Sequence, residues 1–236
     1  MDYWGPDGSS LWLADNLGLG HLLLRNTPEA RYEALPRQDV ANRVALTAHA
    51  RLDNRAELFP LLAIPASEQA TMPDSELILR AYLRWGAECV QYLIGDWAFA
   101  LWDQRQRKLF LARDHHGVSG IYYQLWSGSF AFASAIKGLL ACRTTVRRPN
   151  LFRLAQVLTS WPGDGVQTAY EEILRLPPAH TLTVTDGKVS TRCYWSPQNL
   201  PPVRLKTDDE YVEAFLDVYT EAVRCRLRSS RPVGAT

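Results

Sequence analysis

Four cysteines, Cys89, Cys142, Cys193 and Cys225, are the side chains best suited to nucleophilic or metal chemistry in this sequence. They lie far apart and no two form a Cys-x-x-Cys pair, so their spacing suggests neither a zinc site nor a disulfide framework. Each reads as a small buried residue, and no catalytic residue is assigned. His115-His116 has the composition of a metal pair, but adjacent side chains point apart and no third ligand stands near. A solvated loop pair is the simpler reading, and no metal site is assigned. Arg113-Asp114 resembles a catalytic pair, while Arg147-Arg148 reads as a surface turn. Asp74 stands at the head of an amphipathic segment, where its carboxylate can cap a helix and favour the positive end of the dipole.

Positioning such groups requires a core, and the totals allow one. The chain has 236 residues, 47% hydrophobic and 22% charged, which suits one large or two small globular domains. A formal charge of +1 from 26 basic and 25 acidic residues creates no field that would recruit nucleic acid or an anionic membrane. No apolar run approaches the roughly 20 residues of a membrane helix, and scattered thiols fit a cytoplasmic protein.

Leu11-Trp12-Leu13 and Leu19 to Leu24, separated by Asp15-Asn16 and Gly18, read as two strands and a tight turn. Val44 to Leu52 alternates like a half-buried strand. Asn54 and Glu57 have the spacing of an N-cap and its partner. Leu77, Ile78, Ala81, Tyr82 and Trp85 mark a helix closed by Gly86. Strands over Trp97–Trp102, Leu109–Ala112, Ile121–Trp126 and Phe130–Ala133 are expected to form one antiparallel meander. Asn150 can cap a helix, and His180–Thr185 with Lys188–Tyr194 reads as a hairpin turning at Asp186-Gly187. Two prolines, Pro201 and Pro202, within 199–207 mark a linker. Beyond it, Thr207 and Glu210 predict a capping box for a long helix that buries Tyr211, Phe215, Tyr219, Ala222, Val223 and Leu227.

The run Gly95-Asp96-Trp97-Ala98-Phe99-Ala100-Leu101-Trp102-Asp103, then Leu109-Phe110-Leu111-Ala112-Arg113-Asp114, Gly117 and Ile121-Tyr122-Tyr123, resembles the core signature of asparagine synthetases. It continues as Phe132-Ala133-Ser134-Ala135-Ile136-Lys137-Gly138-Leu139-Leu140. Gly5-Pro6-Asp7-Gly8, Leu19-Gly20-His21, Asp74-Ser75-Glu76, Arg175-Leu176-Pro177-Pro178-Ala179-His180 and Tyr194-Trp195 match in the same order. The resemblance implies an α+β fold, the N-terminal-nucleophile hydrolase-like αββα sandwich of antiparallel sheets, in a class II glutamine amidotransferase domain over 1–198. It further implies a linker at 199–207 and, over 208–236, the opening helix of an α/β ATP-pyrophosphatase domain that stops before its nucleotide loop, with an N-terminal strand missing.

Family members hydrolyse glutamine with an N-terminal cysteine whose thiolate attacks the side-chain amide. The residue at the corresponding start here is Asp2. The arginine that grips the substrate carboxylate corresponds to Leu23. The Asn-Gly-Glu set that forms the oxyanion site and holds the substrate amine corresponds to His49, Ala50 and Arg51. Asp74 alone still matches a glutamine-contacting position, with the capping role as its plainer explanation. In the family frame Arg113-Asp114 is architectural.

The resemblance therefore implies the N-terminal part of an ATP-dependent amide ligase with a degenerate glutaminase domain, as in β-lactam synthetases and lasso-peptide cyclases. The alternative is a silent binding module acting with a separate synthetase chain. The chain itself is expected to need no cofactor, with ATP and Mg2+ belonging to the missing C-terminal domain. That ATP-pyrophosphatase domain is the expected partner, in cis or in trans. A homodimer stays open, since the missing strand would leave a sheet edge prone to association.

Overall fold

The computed structural model describes residues 4–126, 128–142 and 145–234. Strands β1 (Gly8–Ala14) and β2 (Leu17–Leu23) form a hairpin turning at Asp15, which takes a positive φ. A six-stranded antiparallel sheet has the order β11-β10-β6-β5-β4-β3. Its members are β3 (Arg37–Asp39), β4 (Val44–Leu52), β5 (Gly95–Asp103), β6 (Lys108–Arg113), β10 (His180–Thr185) and β11 (Lys188–Cys193). A second sheet is ordered β8-β7-β9, from β7 (Tyr122–Trp126), β8 (Ser129–Ala133) and β9 (Leu174–Arg175).

The six-stranded sheet is covered on both faces. On one lie Leu46, Ala48, Leu52, Phe99, Leu101 and Phe110, packed against Leu58 of helix α1 (Arg55–Leu61) and Leu77, Ile78 and Tyr82 of α3 (Asp74–Trp85), with the short helix α2 (Ala66–Gln69) between them in sequence. On the other, Ala98, Ala100, Leu109, Leu111 and Leu182 meet Ile121, Tyr123 and Leu176 of the second sheet and its flanks. Helix α4 (Ile136–Leu140) packs on β7 and β8, which completes the helix–sheet–sheet–helix order expected for the α+β fold. Helix α3 ends as its sequence dictates, at Gly86 with φ 60°.

Several local expectations need correction. β4 is not half-buried: all of Val44 to Ala48 is covered, and on the polar-looking face the β1–β2 hairpin meets Thr47 through Gly20 and His21. The meander is divided, since β6 pairs with β10 and not with β7. The connection between them holds the change of sheet. Asp114 accepts from the backbone N–H groups of His116, Val118 and Ser119, while Arg113 donates to the carbonyls of Gly117, Ser119 and Leu176. These two residues are thus architectural. Asn54 does not cap α1; its amide oxygen takes the N–H of Ile94 at 3.0 Å instead.

Asn150 does cap α5 (Leu151–Leu158), accepting from Arg153 N, and Asp186-Gly187 turns the β10–β11 hairpin with both φ values positive. Thr207 caps α6 (Asp208–Arg226), accepting from Glu210 N at 3.2 Å, whereas the Glu210 carboxylate answers to the N–H of Lys206. The stripe expected to be buried on α6 is exposed, Phe215 to 65% and Tyr219 to 57%. Its periodicity is real, but nothing in the described residues covers it.

Candidate functional site

The last turn of β4 carries His49, Ala50 and Arg51 to the end of the six-stranded sheet. The end of β2 brings His21 and Leu23 alongside, and the first turn of α3 brings Asp74 from the helical layer. His21, Leu23, Glu33, His49, Ala50 and Asp74 together line a cavity of about 30 Å³. That is room for one or two waters. It falls far short of the roughly 300 Å³ at which small-molecule pockets begin. A broad cleft of about 1960 Å³ opens beside it, between the hairpin and the two sheets, with His21, Thr47, His49 and Arg51 on its wall.

Asp74 is only 4% exposed and does not act as the helix cap; Pro73 occupies that position. One carboxylate oxygen accepts from Arg55 Nη1, and the other accepts from Leu52 N at 3.1 Å and Arg228 Nη2 at 2.8 Å. Three of roughly four lone-pair directions are therefore used inside the chain. Arg55, 7% exposed, also donates to the carbonyl of Met72 at 2.8 Å. Arg228 reaches Glu29 Oε2 at 2.6 Å. Burial works against its charge, but Asp74 and Glu29 outweigh it and raise the Arg228 pKa. Beside them Glu33 accepts from the Ser75 hydroxyl; burial raises its pKa, and Ser75 and Arg37 oppose the rise.

Arg51 does not line the small cavity. It bridges Asp53 at 3.1 Å and Asp96 at 2.8 Å, and Arg226 from the last turn of α6 meets the same Asp96 oxygen at 2.8 Å. His21 faces the Thr47 hydroxyl at 3.2 Å, and burial, helped by His49, lowers its pKa to about 4. The His49 ring is accessible from the cleft yet walled by protein, and that enclosure lowers its pKa against the pull of Asp96. The His21 imidazole is therefore neutral at pH 7.

Leu23, His49, Ala50 and Asp74 are thus brought together, Arg51 lies next to them, and Asp2 is outside the described residues. Glu29, Arg55 and Arg228 complete the arrangement and carry no motif of their own. The only signal in sequence is the density of arginines from Arg224 to Arg231, which does not say which acids they meet. The other candidates sit elsewhere. Cys89 is buried, with its thiol pushed up to about 12 chiefly by burial. Contrary to expectation, Cys142 and Cys193 are exposed and Cys225 is half-covered. His115 is not a solvated loop residue either, since Trp97, Tyr194 and Trp195 surround its ring edge-on. Among the described residues no group of three or more His, Cys, Asp and Glu could hold a metal ion, and no helix is long and apolar enough to cross a membrane.

Residues 1–195 match the family described as a glutamine amidotransferase domain. The chain belongs to that family. The chain is 28% identical over 236 residues to asparagine synthetase [glutamine-hydrolyzing] 3 of Bacillus subtilis (strain 168), covering 97% of this chain and 37% of that protein. It is 26% identical over 234 residues to amidase chry2 of Gibberella zeae, covering 97% and 34%. The chain spans about a third of the length of these relatives. Among solved structures, glutamine phosphoribosylpyrophosphate amidotransferase from B. subtilis, complexed with ADP and GMP, aligns with a TM-score of 0.43 at 15% identity. That alignment covers 67% of this chain and 30% of that one, and at this level it adds nothing to the fold described above.

Proposed function

We propose that this chain is the amidotransferase-type part of an asparagine-synthetase-like, ATP-dependent amide ligase in which the glutaminase site has lost its nucleophile and substrate clamp. The observation that carries the reading is the state of Asp74. It is the one matching glutamine-contacting position, and its carboxylate is bonded by Arg55, Arg228 and Leu52 N beside a cavity of about 30 Å³. Leu23 stands where a carboxylate clamp is needed and can make no charge-assisted bond. His49 and Ala50, in place of the oxyanion pair, leave an imidazole, its pKa lowered by burial, and a methyl group there.

On this reading the amine that enters the amide does not come from glutamine hydrolysed in this domain. ATP and Mg2+ are assigned to a pyrophosphatase domain in cis or in trans and to no residue of this chain. The stretch 199–207 serves as the linker to it, α6 as its opening helix, and the whole acts in the cytoplasm. The exposed apolar stripe of α6 favours a partner domain, equally in the alternative where this is a silent module on a separate synthetase chain. An in-frame Ser-Gly-Gly-x-Asp-Ser loop in the coding DNA beyond Thr236 would place that domain in cis. The amidotransferase domain, incubated with L-glutamine, should release no glutamate above the uncatalysed rate. Turnover abolished by a single cysteine substitution would refute the proposal.

A further inference from the structure

The segment after α6 turns back over the small cavity. From it Arg228 makes three bonds, to Asp74 Oδ2 at 2.8 Å, Glu29 Oε2 at 2.6 Å and the Leu52 carbonyl at 3.0 Å. The acceptors come from three separate parts of the fold: the 3-10 turn at Pro28–Tyr32, the end of β4 and the start of α3. A planar fork of five donors can meet acceptors spread in this way, whereas an ammonium group is a compact point charge. On the far side Arg55 meets the other oxygen of Asp74 and approaches Glu29 at 3.9 Å, so two carboxylates face two guanidiniums. Contacts flank the insertion on both sides. Arg226 holds Asp96, and Ser230 donates its N–H to the Asn26 carbonyl at 3.0 Å and its hydroxyl to the Arg25 carbonyl at 3.3 Å.

We propose that Glu29, Leu52 and Asp74 form a guanidinium receptor, filled by Arg228 of the chain's own segment, which fastens the C-terminal end of α6 to the amidotransferase body. That the receptor descends from a glutamine pocket rests on the function proposed above. Its occupancy by a guanidinium rests on these contacts alone. Without Arg228 the pair of acids keeps one arginine, and a mostly buried negative charge is left uncompensated.

The test is thermal unfolding of the full 236-residue chain carrying Arg228→Ala or Arg228→Lys, each with low concentrations of ethylguanidinium or ethylammonium. Arg228→Ala should lower Tm by on the order of 5 °C. Ethylguanidinium should restore most of that loss and ethylammonium little of it, and Arg228→Lys should recover less than half. An unchanged Tm, or equal rescue by the two ions, overturns the receptor. If Arg228→Ala does not fold, the unsubstituted protein gives the answer by arginine side-chain NMR. A slowly exchanging guanidinium resonance, lost in Arg228→Lys, is expected, and solvent-averaged behaviour like that of the exposed arginines would overturn the proposal. Glutamine turnover with intact guanidinium rescue would sink the proposed function alone. No turnover with failed rescue would sink the receptor alone.

Discussion

At the scale of residues, the site is defined by what its groups have become charged or neutral against. His21 illustrates this. Its pKa falls from 6.5 to about 4, so the folded state resists a proton that the unfolded chain accepts between those values. The stability that depends on neutral His21 is therefore complete above pH 6.5 and is lost as pH falls toward 4. His49, also lowered, acts with the same sign. Urea unfolding measured across that interval should show stability dropping with acidification, and His21→Gln should flatten the drop. A His21→Gln profile parallel to that of the unsubstituted chain would contradict the assignment. The sequence exposed the identities at Leu23, His49, Ala50 and Asp74, because they fall at fixed offsets within a recognisable pattern. It could not reveal Arg228, whose partner Asp74 is 154 residues away. Nor could it tell that Asp74 is a network member and not a cap, since both roles use the same carboxylate at the start of a helix.

At the scale of elements, hairpins and helices with local signals were legible, and pairings that depend on distant strands were not. Asp186-Gly187 and Gly86 each impose a backbone conformation by themselves, so the β10–β11 hairpin and the end of α3 follow from a few residues. The break between β6 and β7 depends on Arg113 and Asp114 binding their own loop, which looks in sequence like any short polar connection. β4 reads as half-buried because its second face is met by the β1–β2 hairpin, at Gly20 and His21, and no local pattern announces that docking. Where β4 meets β5, Gly95 lies opposite Leu52 with φ at +139°, and a Cβ there would stand 2.1 Å from the Arg51 carbonyl oxygen. Gly95→Ala should therefore push the two strands apart beside the site. The expected cost exceeds about 1 kcal/mol, or a fall in Tm of at least about 2–4 °C for a chain of this size. Differential scanning calorimetry checks it, and an unaltered Tm would show that the strands can yield.

At the scale of the whole molecule, a sheet buried on both faces gives the chain a firm body, while α5 and α6 hold their apolar side chains outward, Leu158 to 86% and Phe215 to 65%. The periodicity of α6 correctly announced an amphipathic helix, but its partner was never a matter of periodicity. The same body, whose residues 1–195 match a glutamine amidotransferase domain, bonds Asp74 to Arg55 and Arg228 beside the small cavity. The central proposal is that this region does not accept glutamine. Isothermal titration of L-glutamine into the full chain tests it most directly: the account predicts no saturable heat at millimolar glutamine, and a saturable one-to-one isotherm abolished by Asp74→Asn would contradict it.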